Sequence, residues 1–178
     1  MEVLSKPKVV RFAQTQPGDL FMYAFGAGLF VAMTVTDPAN DGDRAIVVLG
    51  PELPQGMAHP SLVTPSATTV VSFGKDYKLR LPCHAGGWMT KEPPDDVNCI
   101  VVTDEGGIFF RANFGGLEEF RACYIDMEKG EIKTDKSARS YIGPSRLCAF
   151  AVEWELLTVE TEARPILSYP HQQSRKKD

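Results

Sequence analysis

Apolar and polar positions alternate with a period of two along most of this chain, and turn-forming residues interrupt the alternation at short intervals. A period of two sends successive side chains to opposite faces, so the pattern predicts strands. A short opening strand is expected over 9–13. Gln16-Pro17-Gly18-Asp19 is turn chemistry, because proline presets φ and glycine supplies positive φ. Residues 20–25 place Phe21, Tyr23 and Phe25 on one side. Residues 29–36 set Leu29, Val31, Met33 and Val35 opposite Phe30, Ala32 and Thr34. Two such runs around Gly26-Ala27-Gly28 predict a hairpin. A turn over 37–43 then leads to a third, nearly all-apolar strand over 45–49.

Residues 50–66 break the pattern, since Pro51, Pro54, Pro60 and Pro65 exclude a central strand or a long helix. The segments 68–73 and 77–81 flank Gly74-Lys75-Asp76 and predict a second hairpin. A long loop over 82–97 carries Cys83, His84 and Trp88. A meander follows over 98–103, 108–114 and 120–127, turning at Asp104-Glu105-Gly106-Gly107 and at Gly115-Gly116-Leu117, with a short strand over 131–134. The longest predicted strand is 147–159, with Cys148, Phe150, Val152, Trp154 and Leu156 on one face and Ala149, Ala151, Glu153 and Glu155 on the other. That is the mark of a strand with one wet face. Helix is limited to a single turn over 137–142. The expected fold is all-β: an antiparallel barrel or sandwich of about ten strands with long Pro/Gly-rich loops. One β domain over 1–170, with sub-halves 1–66 and 67–160, would end in a basic tail over 171–178.

At 178 residues the chain is long enough to bury a core without disulfide or metal. Its net charge of −4 argues against nucleic acid, which selects a basic face. No apolar leader follows the first residues, so the cytoplasm is the expected compartment and the thiols of Cys83, Cys99, Cys123 and Cys148 are expected reduced. Residues 20–36 form an uncharged stretch of 17 residues, but the central glycines and flanking Asp19 and Asp37 fit a hairpin better than a membrane span.

Three patterns touch chemistry. Cys83-His84 would serve an enzyme built on the 83–96 loop, although neighbours on an extended chain point apart and a base would have to come from elsewhere. The cysteine and histidine spacings do not form a zinc pattern. Asp37, Asn40, Asp41 and Asp43 lack EF-hand spacing and fit a turn. Glu153 and Glu155, about 7 Å apart on one strand face, match an inverting-glycosidase separation and equally a solvated face. No cofactor is implied. Charge is more informative: residues 91–131 hold ten acids against four bases. Trp88, Glu92, Asp95, Asp96, Asp104, Glu105, Glu118 and Glu119 are therefore candidates for an acidic surface facing a basic protein partner.

Gln16-Pro17-Gly18-Asp19-Leu20-Phe21, followed by Gly28-Leu29-Phe30-Val31-Ala32 and a third strand, resembles the opening of small bacterial immunity-type and SH3-like β-barrel proteins. Over residues 16–49 the resemblance implies a cytoplasmic partner-binding protein without catalysis. A non-enzymatic binding protein is thus the first expectation. An enzyme using Cys83 and His84, or a small-ligand-binding β-barrel, are the alternatives.

Overall fold

A computed structural model describes residues 7–25, 28–37, 43–50, 62–63, 69–91, 98–114, 121–133, 148–158 and 165–169. The first strands are β1 (Lys8–Arg11), β2 (Leu20–Phe25), β3 (Gly28–Asp37), β4 (Asp43–Gly50) and β5 (Leu62–Val63). Next come β6 (Thr69–Gly74), β7 (Tyr77–Arg80), β8 (Trp88–Met89), β9 (Cys99–Thr103) and β10 (Ile108–Phe114). The last are β11 (Arg121–Asp126), β12 (Glu131–Lys133), β13 (Cys148–Ala151), β14 (Trp154–Thr158) and β15 (Leu167–Tyr169). Helix among the described residues is confined to 3-10 turns at Phe12–Gln14 and Ala85–Gly87.

Twelve strands form one large sheet in the order β1-β6-β2-β3-β12-β11-β10-β9-β13-β8, with β4 beside β3 and β5 beside β4. Strands β15-β14-β7 form a second sheet. Pairing is antiparallel except where Glu131 of β12 meets Thr36 of β3 in parallel. The fold is therefore all-β and sandwich-like. It is not the closed barrel that the sequence left open, because β1 and β8 stand at opposite ends of the strand order. The short β5, β8 and β15 account for most of the excess over ten strands.

The core explains the strand patterns. Leu20, Val31, Met33, Val47, Ile100, Phe110, Ile125, Trp154 and Leu156 belong to one buried cluster, drawn from both halves of the large sheet and from the small one. Phe21, Tyr23, Phe30, Ala32, Ile46 and Val48 form a second cluster on the opposite face. Strands β3 and β4 are thus buried on both faces, which is why 45–49 carries no polar alternation. The polar Thr34 in this interior donates to Thr15 Oγ1 at 2.7 Å, and Thr15 donates to the Phe12 carbonyl at 2.8 Å. Both hydroxyls are therefore satisfied.

The hairpin of β2 and β3 forms as expected, with Leu20 opposite Met33 and Tyr23 opposite Phe30. The meander β9-β10-β11-β12 does too. Two expectations need correction. Strands β6 and β7 are not a hairpin. Strand β6 is already paired on both edges, with Val71 opposite Val9 of β1 and Met22 of β2, so β7 has no edge to join. It crosses to the small sheet and pairs with β14. The segment 147–159 is also not one strand. Ala151 and Trp154 both enter the main core although they are three residues apart, which a period of two forbids. The chain bends at Val152 and Glu153, where the Val152 N–H donates to the Gly87 carbonyl at 2.9 Å, and passes from the large sheet to the small one. No helix among the described residues is long and apolar enough to cross a membrane.

Candidate functional site

Of the acidic candidates, Asp104 and Glu105 fall within the described residues, and two other turns line the same cleft as Glu105. Asp104 and Glu105 are exposed on the β9–β10 turn. That turn is closed by the Gly106 N–H donating to the Thr103 carbonyl at 3.0 Å and by the Gly107 N–H donating to Thr103 Oγ1 at 3.1 Å. Gly106 sits at φ 82°, a conformation glycine adopts without strain. On the β11–β12 turn, Asp126 Oδ1 accepts the N–H groups of Glu128 and Lys129, each at 3.0 Å. This Asx arrangement holds Glu128 and Lys129 out on the tip, where both are exposed. The third turn, between β6 and β7, brings Lys75, whose Nζ donates to the Glu128 carbonyl at 3.2 Å.

Between these turns lies an open cleft of about 640 Å³. Tyr77, Leu79, Ile108 and Met127 give it apolar surface, and Glu105, Asp126 and Glu128 give it three carboxylates against Lys75 and Lys129. Ile108 is 39% exposed, one of few large apolar side chains so exposed among the described residues. The Tyr77 hydroxyl donates to the Met127 carbonyl at 3.0 Å. Burial, and then the negative charges of Asp19 and Asp126, push this phenol up to about 12. Burial and the two nearby carboxylates thus both disfavour a charged phenolate at this position.

Trp88 occupies a different place. It is half-buried in β8 and packs against the main core, and its Nε1 donates to the Pro82 carbonyl at 2.9 Å. Glu92, Asp95, Asp96, Glu118 and Glu119 lie outside the described residues.

Cys83 and His84 line a second, open cleft of about 400 Å³ that shares no residue with the first. The expectation that these neighbours point apart assumes an extended strand. The chain bends at both residues, and both reach the same cleft. The partner of His84 is a carboxylate: His84 Nε2 stands 3.0 Å from Glu153 Oε2. Arg80 meets Glu155 at 2.9 Å in the same cleft. Glu153 and Glu155 are therefore not a pair on one strand face. The first sits at the bend beside the His84 imidazole, and the second in β14 beside the Arg80 guanidinium. Among the described residues, no group of three or more His, Cys, Asp or Glu side chains could hold a metal ion. The four cysteines form no disulfide: Cys83 is exposed, Cys99 and Cys123 are buried, and Cys148 is intermediate.

In the sequence, Asp126 and Glu128 stand out only as members of an acidic stretch. The signal that singles them out is Asp126 followed by Gly130, an Asx turn closed by a glycine. Arg80 and Ser168 carry no signal, because their roles arise from cross-strand pairing. Comparison with protein-family models, with curated proteins and with solved structures finds no match for this chain.

Proposed function

We propose that this is a non-catalytic binding protein that takes a basic, partly apolar segment of a protein partner into the cleft between the β6–β7, β9–β10 and β11–β12 turns. One observation carries the proposal: Glu105 from the β9–β10 turn and Asp126 and Glu128 from the β11–β12 turn line one open cleft that also has apolar surface. Apolar surface supplies affinity, and the excess of carboxylates over Lys75 and Lys129 supplies orientation and association rate. The open form of the cleft, rather than its volume, suits the side chains of a bound segment better than a deeply enclosed metabolite.

The test is an array of short peptides in which Lys or Arg flank Leu, Ile or Phe, followed by NMR titration of the best binder. Shifts are expected at Tyr77, Glu105, Ile108 and Glu128. The double reversal Glu105→Lys with Glu128→Lys should weaken binding about tenfold or more and flatten its salt dependence. Shifts that map elsewhere, or an affinity indifferent to the double reversal, would overturn the proposal.

A further inference from the structure

The small sheet carries a polar row across its strands. Glu155 of β14 stands opposite Arg80 of β7 on one side and Ser168 of β15 on the other. Its two carboxylate oxygens are divided between them: Oε2 meets the Arg80 guanidinium at 2.9 Å, and Oε1 accepts from the Ser168 hydroxyl at 3.4 Å. The alternate residues Leu79, Leu156 and Leu167 go to the core. At the end of this row the bend places Glu153 against His84. The result is two carboxylates, a guanidinium, an imidazole and a hydroxyl along one cleft, with Leu81 and Pro82 as apolar neighbours. Arg80, His84, Glu153 and Glu155 keep between 32% and 58% of their side-chain surface accessible, so a ligand can reach each of them.

We infer that this cleft binds a neutral, polyhydroxylated ligand, a mono- or oligosaccharide. The Arg80–Glu155 pair sets a donor beside an acceptor, and the His84–Glu153 pair repeats that motif nearby. Adjacent hydroxyls on a sugar ring present the complementary donor and acceptor at similar spacing. The Arg80 guanidinium offsets Glu155, so the cleft offers no concentrated charge to select an ion. Charge-assisted hydrogen bonds from such pre-positioned groups are the stronger kind. The cleft volume of about 400 Å³ accommodates one or two sugar rings. The sugar cleft and the acidic cleft are independent of one another.

The full-length protein is applied to an array of neutral oligosaccharides, and the best-retained glycan is titrated calorimetrically. Saturable binding is expected. Glu153→Gln and Glu155→Gln should each weaken it about tenfold or more, and Ser168→Ala, the mildest change, by less. The Glu105→Lys, Glu128→Lys protein should bind the glycan unchanged, which separates this site from the peptide cleft. Absence of retention by the wild-type protein at millimolar glycan would overturn the inference. So would unchanged affinity in the two Glu→Gln variants, shown folded by circular dichroism. Displacement of the glycan by a free α-amino acid would overturn it too, since it would mark the charges as a zwitterion site.

Discussion

Gly130→Ala should be the most damaging single-methyl change outside the core. Gly130 has φ 68°, and a Cβ built there would collide with the backbone of Pro17 and Gly18. The left-handed conformation alone costs an ordinary residue roughly 1–2 kcal/mol. Overlap with packed neighbours costs a further 1–3 kcal/mol or so, and more readily here, because backbone cannot rotate aside as a side chain can. The contact is also stitched by hydrogen bonds that would have to shift together. Thr36 N–H donates to the Gly130 carbonyl at 2.8 Å, and Gly18 N–H donates to the Thr34 carbonyl at 2.8 Å. The expected loss is about 2–5 kcal/mol, a large share of a typical domain's stability. For a chain of this length that corresponds to a drop in Tm of roughly 5–20 °C. Gly106→Ala is the internal control. Gly106 has φ 82° but nothing within 4 Å of the point where a Cβ would sit, so only the conformational cost of about 1–2 kcal/mol applies. Urea unfolding followed by tryptophan fluorescence measures both. If Gly130→Ala costs no more than Gly106→Ala, the close approach of the two turns is not what the packing implies, and the reasoning fails. The outcome bears on function, because the same turn carries Glu128 and Lys129 to the acidic cleft.

Three further outcomes follow from the structure. Tyr77, pushed up to about 12, stays protonated in the fold where the unfolded chain ionises near its ordinary value of 10. Its contribution is thus complete below pH 10 and declines as pH rises toward 12, and Tyr77→Phe should flatten that alkaline decline while costing about 1 kcal/mol through the bond to Met127. A thiol reagent should modify Cys83 rapidly in the native protein, and Cys99 and Cys123 only on unfolding; equal rates for all would contradict the burial pattern. The hydrogen bond from Lys133 holds the Glu131 carboxyl below its ordinary range, so its stabilising effect is lost as pH falls through that lowered range. Lys133→Met should let the carboxyl return upward in an NMR titration, with a stability change under about 1 kcal/mol because the pair is partly exposed.

Much of the secondary structure was legible because its causes are local. The period of two placed β2, β3 and the meander within a residue or two of their ends, and Gln16-Pro17-Gly18-Asp19 forms its turn with Gly18 at φ 86° and Asp19 N–H donating to the Gln16 carbonyl at 2.9 Å. The acidic character of 91–131 was legible as well, since charge is a property of composition. What the chain could not reveal was which edge each strand would find. Residues 68–81 read as a hairpin because turn chemistry is local, yet the edges of β6 are taken by β1 and β2, both from far upstream. The break at Val152 and Glu153 is likewise hidden in an unbroken apolar alternation. Only the need to serve two sheets explains why Ala151 and Trp154 face one core. The clefts inherit this dependence. Glu105 shares a cleft with Asp126 and Glu128, and Arg80 meets Glu155, because strand pairing brings distant segments into register, and pairing partners are chosen by the packing of the whole core rather than by any segment's own pattern.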